Sequence, residues 1–313
     1  MDRRSTLALG CGAGISLFAG ISPRLFAQNT DSASEISRLQ SENEQLKKQL
    51  AQVTEEFRHY RSVIAGNQAR GAIPAVRAQR VIVVDAKTGD ILAEKNADVR
   101  GPVASTQKLL TSLIVVESGG LEEYLTVQES DTDCAPVRIG LREGETYPRI
   151  QLLTALLVKS SNDIAQALAR DNAGSIEAFV DRMNVRARAL GMNDSHFVNP
   201  HGLPVDDQYS TARDMARLAL AADTNPVIRD LVEVRRFAFT RADGRIIQLE
   251  TTNRVMRSYP FCDGMKTGYT QLAGHCLVCS GEKEGRRRLV VALSDNESIW
   301  KDAQALLEWS LRA

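Results

Sequence analysis

The sequence contains no stretch of about 18 consecutive apolar residues, which excludes a protein that threads a membrane several times. It also has no net charge: 39 Lys and Arg balance 39 Asp and Glu, so the basic excess that a nucleic-acid partner requires is missing. Cysteine is scarce, 5 in 313 residues, which rules out a disulfide scaffold. Histidine is scarcer still. The four present, His59, His196, His201 and His275, follow neither a triad nor a metal spacing and read as surface or loop residues. No metal or other cofactor is expected. No internal repeat is visible. What remains is ordinary globular composition, 43% hydrophobic and 25% charged, enough for one large domain or two.

The first residues read as an address. Met1-Asp2-Arg3-Arg4 is followed by an uncharged, Gly- and Ala-rich stretch from Leu7 to Ser22, then Pro23, Arg24 and the small residue Ala27. These are the three regions of an export signal in order, with cleavage expected after Ala27. The Arg3-Arg4 pair and the weakly apolar centre resemble a twin-arginine signal, the type that carries folded proteins to the periplasm or cell envelope. Lipidation at Cys11 is disfavoured by the residues before it. Residues 1–27 hold Asp2 against Arg3, Arg4 and Arg24, so the exported chain carries a charge of −2.

From Ile36 the apolar residues keep a seven-residue beat. Ile36, Asn43, Leu50, Phe57 and Ile64 fall at a, and Leu39, Leu46, Val53 and Tyr60 at d. This predicts a coiled coil over residues 31–65, and Asn43 at a favours a two-stranded parallel pairing. Glu42 with Lys47 and Glu56 with Arg61 occupy facing g and e positions, so a homodimer through residues 36–64 is expected; a single helix lying on the domain is the alternative. Residues 66–74, with Gly66, Gly71 and Pro74, read as a linker.

Residues 75–313 form the remaining domain. A buried-type strand at Arg80–Asp85 turns at Lys87-Thr88-Gly89-Asp90 into Ile91-Leu92-Ala93. Helices are predicted near 103–117, 150–158, 164–170, 176–190 and 211–221. Strands are predicted at 274–280 and 287–293, and a last amphipathic helix near 297–311. Strands at both ends with helices between imply an α+β fold: one antiparallel sheet built from both termini, with a helical subdomain inserted.

Three short patterns carry the chemistry, and none is specific alone. Ser-x-x-Lys occurs at Ser105, Ser280 and Ser298; Ser-x-Asn at Ser41, Ser160 and Ser294; Lys-Thr-Gly at Lys87 and Lys266. Requiring them in that order leaves one solution: Ser105/Lys108, Ser160/Asn162 and Lys266/Thr267/Gly268. Context agrees, because Ser105 opens an apolar helix and shares its face with Lys108 at i, i+3. The segments around them are Pro102-Val103-Ala104-Ser105-Thr106-Gln107-Lys108, Lys159-Ser160-Ser161-Asn162-Asp163 and Asp263-Gly264-Met265-Lys266-Thr267-Gly268-Tyr269-Thr270. From about Arg80 to Ala313 the chain resembles the serine D-Ala-D-Ala carboxypeptidases, the low-molecular-mass penicillin-binding proteins. The family also tends to carry a second, C-terminal β domain, which would have to lie beyond Ala313, and the N-terminal coiled coil is a further departure.

The resemblance implies a β-lactamase/transpeptidase-like fold and removal of the terminal D-alanine from peptidoglycan stem peptides. It also implies covalent inhibition by β-lactam antibiotics. Ser105 would be the acyl-ester nucleophile and Lys108 its base, kept neutral by burial and by a second cation such as Lys266. Ser160 would relay a proton to the leaving amine; Asn162 would hold the substrate amide and brace Lys108. Lys266 with Thr267 would bind the free carboxylate, and Gly268 would let the strand edge approach the substrate backbone. The backbone amides of Ser105 and Tyr269 would form the oxyanion hole. The alternatives are a D,D-endopeptidase of the same family, a β-lactamase (disfavoured by the absence of a Glu-x-x-Leu-Asn pattern) and a non-catalytic wall-binding scaffold. Among Cys134, Cys262, Cys276 and Cys279, free buried thiols are the default and a Cys134–Cys262 disulfide is an open possibility; Cys276 and Cys279 lie three apart on a strand and should face opposite sides.

Overall fold

The computed structural model describes residues 23–295 and 297–312, and the chain divides into two units between Arg61 and Ser62. Of the export signal expected over residues 1–27, residues 1–22 lie outside the described residues. The first unit is carried by one long helix, α1 (Pro23–Arg70). Along it Ile36, Leu39, Leu46, Leu50, Val53 and Phe57 are each more than half exposed, so the heptad seam is uncovered in the single chain. The helix continues past Gly66 to Arg70, which confines the extended connection to 71–79.

The second unit begins its sheet with β1 (Arg80–Asp85) and β2 (Ile91–Lys95). A 3₁₀ turn at Ala104–Gln107 then runs into α2 (Lys108–Ser118). The inserted subdomain follows: β3 (Tyr124–Thr126), α3 (Glu129–Thr132), β4 (Thr146–Pro148), α4 (Arg149–Lys159), α5 (Asn162–Ala173), α6 (Ile176–Ala189), α7 (Ala212–Thr224) and α8 (Pro226–Val232). A hairpin of β5 (Arg236–Thr240) and β6 (Ile246–Glu250) and the short α9 (Arg254–Ser258) lead back to the sheet. The chain returns as β7 (Cys262–Thr270), β8 (Gly274–Lys283) and β9 (Arg286–Asp295), and closes on α10 (Ile299–Ser310).

The five-stranded sheet has the order β2-β1-β9-β8-β7, all antiparallel, so both ends of the domain do meet in one sheet. Its strands read as near-continuous apolar runs because both faces are covered. Ile82, Val84, Val278, Leu289 and Val291 point into the helical core. Val81, Val83, Leu277, Val290 and Ala292 point at Ile299, Ala303, Leu306, Leu307 and Trp309 of α10. Cys276 and Cys279 fall on opposite faces, as the two-residue period requires. Cys262 has Cys279 beside it rather than Cys134, with the two Sγ atoms 3.2 Å apart across β7 and β8, and all four cysteines of the domain are free thiols.

Two of the five decoy motifs, at Lys87 and Ser280, have structural roles. The Asp85 carboxylate accepts the backbone N–H groups of Lys87 and Thr88 in the first hairpin turn. The Ser280 hydroxyl, buried in β8, donates to Asp263 at 2.6 Å.

Candidate active site

The site lies where β7, the exposed edge of the sheet, meets the helical subdomain. Ser105 stands in the 3₁₀ turn before α2, not in an α-helical first turn, and the preceding Ala104 has φ +49°, a strained conformation for a residue with a side chain. Glycines press on this turn from two sides. A Cβ on Gly202 would come within 2.2 Å of the Ala104 carbonyl oxygen, and one on Gly268 within 2.7 Å of the Ser105 nitrogen. Gly268 is thus demanded by the nucleophile turn, a neighbour different from the substrate backbone that the sequence suggested.

The i, i+3 spacing brings Lys108 Nζ to 2.8 Å from Ser105 Oγ. The same nitrogen meets Asn162 Oδ1 at 2.8 Å and the His201 carbonyl at 2.5 Å. Neither of those two oxygens can donate. A neutral Lys108 amine therefore gives its two N–H groups to them and turns its lone pair to the Ser105 hydroxyl. The lysine is completely buried. That burial, reinforced by the charge of Lys266, pushes its pKa well below the ordinary lysine value. Asn162 is held in turn by donating Nδ2–H to the Ala135 carbonyl at 3.0 Å.

Ser160 caps the end of α4 in the left-handed region, φ +70°, which swings its hydroxyl toward β7. There it accepts from Lys266 Nζ at 2.8 Å, and Lys266 also donates to the Thr267 carbonyl at 2.9 Å. Lys266 is 1% exposed and its pKa is lowered to about 7 by burial. Thr267 Oγ1 lies 2.6 Å from Thr252 Oγ1. Tyr269 is exposed, with its ring 4.5 Å from that of His275. Ser105, Lys108, Ser160, Asn162, Lys266, Thr267 and Gly268 are thus brought together, with Tyr269 at the rim.

A cavity of about 510 Å³ opens in front of Ser105, bounded by Ser160, Thr267, Gly268 and Tyr269 and extending to Thr252, Arg254 and Trp300. Neither Lys108 nor Lys266 lines it; both stand behind the wall. A smaller cavity of about 350 Å³, around Arg80, Asn96 and Leu272, shares none of these residues and none of the chemistry.

Several contributors escaped the sequence reading. His201 is not a surface residue: it is buried, its carbonyl accepts from Lys108 and lies 3.2 Å from the Ser105 hydroxyl, and desolvation pushes its imidazole pKa down to about 3. A backbone acceptor has no signature in sequence, although the adjoining Gly202-Leu203-Pro204 marks a tight turn. Asp163 is also buried, and its carboxylate accepts the N–H groups of Ile139, Gly140, Leu141 and Ile164. It fastens the loop that carries Ala135 and Val137 to the start of α5.

A family model described as D-alanyl-D-alanine carboxypeptidase matches residues 67–297. The chain is 35% identical over 256 residues to the D-alanyl-D-alanine carboxypeptidase DacA of Escherichia coli, covering 77% of this chain and 62% of that protein, and so spans less than two thirds of that relative. It is 33% identical over 209 residues to the D-alanyl-D-alanine endopeptidase of Escherichia coli, covering 66% of this chain and 67% of that one. The crystal structure of a D-alanyl-D-alanine carboxypeptidase from Mycobacterium tuberculosis superimposes with a TM-score of 0.72 at 31% identity, over 76% of this chain and 92% of that one. With the family model spanning most of the chain and the same architecture around the ordered triplet, this chain belongs to the D-alanyl-D-alanine carboxypeptidase family of serine peptidases.

Proposed function

We propose that the protein removes the terminal D-alanine from peptidoglycan stem peptides through an acyl-enzyme on Ser105. The observation that carries this reading is the 2.8 Å contact between Ser105 Oγ and a buried Lys108 whose other two partners can only accept. Lys108 takes the hydroxyl proton as Oγ attacks the carbonyl between the two D-alanines. The oxyanion that forms is met by the amides of Ser105 and Tyr269. Ser160, backed by Lys266, passes a proton to the leaving nitrogen as the C–N bond breaks and D-alanine departs. Thr267 receives the terminal carboxylate in the field of Lys266, and Asn162 holds the substrate amide. Water then attacks the ester, and Ser105 recovers its proton. A β-lactam, whose amide occupies the same place, stops at the ester. The D,D-endopeptidase reading is the second one because a relative with that name is 33% identical to this chain over 209 residues.

A fluorescent penicillin should label the wild type and leave Ser105→Ala dark; equal labelling would refute the nucleophile. Release of D-alanine from a stem pentapeptide is the direct assay of the reaction.

The protein is read as exported, through the signal of residues 1–27. Its uncovered heptad seam supports a parallel homodimer through residues 36–64, since a row of large apolar side chains left in water gains about 25 cal/mol per Å² on pairing. Deleting residues 31–65 should convert a dimer to a monomer in sedimentation; a monomeric starting protein would refute the pairing.

A further inference from the structure

Two buried sulfur atoms in the sheet take no part in the acylation chemistry. Cys262 opens β7 and Cys279 lies in β8, and both are 0% exposed. Their Sγ atoms are 3.2 Å apart. They are diagonal neighbours across an irregular step of the ladder: Cys262 faces Gly281, Gly264 faces Ser280 and Met265 faces Cys279. Both side chains lie on the face that packs against α10. No other thiol competes for either of them, since Cys276 points to the opposite face and Cys134 follows α3 in the inserted subdomain. Nor is the pair part of a metal site: among the described residues no three His, Cys, Asp or Glu side chains come together as a ligand set.

Two thiols gain little from lying side by side, because S–H is a weak donor and sulfur a weak acceptor. A covalent bond requires each sulfur to move only about 0.6 Å, to the ordinary S–S separation of about 2.05 Å. We propose that Cys262 and Cys279 are a disulfide pair, joined by exchange with a disulfide oxidant while the two strands are open and enclosed when β7 docks on β8. The oxidant is a protein or low-molecular-mass disulfide, the class that an exported chain meets outside the cytoplasm. One cysteine thiolate attacks its S–S bond and releases one thiol; the other cysteine thiolate then displaces the second sulfur. Two cysteine thiols become one disulfide, the oxidant is reduced to two thiols, and both protons leave on those thiols.

Burial sets the timing. The neighbouring Cys262 thiol and desolvation hold the Cys279 thiol well above the ordinary thiol range, so the folded domain offers an oxidant neither access nor a Cys279 thiolate. The same burial shields the finished bond from reductant. Its effect falls on β7, the edge strand that carries Lys266, whose only partner within the sheet is β8. The bond ties the first residue of that strand to β8 across the irregular step and closes a loop between positions 17 apart. A loop of that size should raise the urea midpoint of the domain by about 1 M.

The test holds the full chain in urea just below its unfolding midpoint, so that the strands open and close, with either a mixture of oxidised and reduced glutathione or a strong reductant. After denaturation and alkylation, the glutathione sample should be lighter than its reduced counterpart by two hydrogen atoms before alkyl groups are counted, with the Cys262 and Cys279 peptides joined and Cys134 and Cys276 alkylated. Its urea midpoint should exceed that of the reduced sample by about 1 M, and Cys262→Ala/Cys279→Ala should show the same midpoint in both buffers. Fully folded protein given the glutathione mixture without urea should react far more slowly. Alkylation of both Cys262 and Cys279 after equilibration, a bridge to Cys134 or Cys276, glutathione adducts in place of a bridge, or equal wild-type midpoints in the two buffers overturns the pair.

Discussion

Replacing Lys266 by methionine should make the protein more stable while destroying its activity. Burial lowers the Lys266 pKa from 10.5 in the unfolded chain to about 7. That gap of about 3.5 pH units, at about 1.4 kcal/mol each, means the fold gives up about 5 kcal/mol by enclosing this ammonium. The sign follows from the proton count. Between the two pKa values the unfolded chain holds a proton that the folded chain lacks, so stability rises with pH. The penalty is full below about pH 7, shrinks above it and is gone beyond pH 10.5. Methionine keeps the length of the side chain and removes the charge, but it takes the donor from Ser160 Oγ, a loss of about 1–3 kcal/mol. The variant should therefore be about 2–4 kcal/mol more stable than wild type at pH 6 and about 1–3 kcal/mol less stable above pH 10.5. Urea unfolding followed by tryptophan fluorescence reads this directly, since both tryptophans, Trp300 and Trp309, lie in α10 and none in the long helix. Acylation by penicillin should fall at least about a hundredfold, the usual cost of removing a site's preorganised charge or donor. A variant less stable than wild type at pH 6, or a stability difference that does not change with pH, would refute the reasoning.

Two further outcomes follow from contacts around the nucleophile. In Gly268→Ala the new methyl must push against the Ser105 nitrogen and the Ala104 Cβ, 2.7 and 2.9 Å away, which should destabilise the domain by about 1–3 kcal/mol and slow penicillin acylation about a hundredfold. A wild-type acylation rate would show that the turn gives way at no cost. In Asp163→Asn the hydrogen bonds of the 139–141 amides lose their charged acceptor, so those amides should exchange with solvent faster and the domain should lose about 2–3 kcal/mol; unchanged exchange would remove Asp163 as the fastener of that loop.

The parts of the site legible in the sequence are those written in side chains at short range. Ser105 and Lys108 needed only helical spacing, and Ser160, Asn162 and Lys266 needed only order along the chain. The less legible parts depend on shape. The His201 carbonyl orients Lys108 through a backbone atom. Gly268 is fixed by the Ser105 turn, a contact that joins residues 163 positions apart. Arg254 and Arg257, which line the cavity, sit on α9, whose five residues are too few to show a period. The fold divides in the same way. The sheet from both ends and the long helices of the insert were readable from their apolar periodicity. The β5–β6 hairpin was not, although Asp243-Gly244 marks its turn, because its strands bury little and lack a clean alternation. Cys262–Thr270 passed as motif text rather than as a strand, since its Gly264, Lys266 and Gly268 are poor strand formers held there by pairing with β8.

The order β2-β1-β9-β8-β7 places β9, late in the domain's sequence, between strands from opposite ends of the domain. Within the sheet only β9 hydrogen-bonds the β1–β2 hairpin to the β7–β8 hairpin, so Arg286–Asp295 is what joins the two hairpins into one five-stranded sheet. Loss of β9 pairing on either side would therefore part the strand that carries Lys266 from the sheet half that begins the domain.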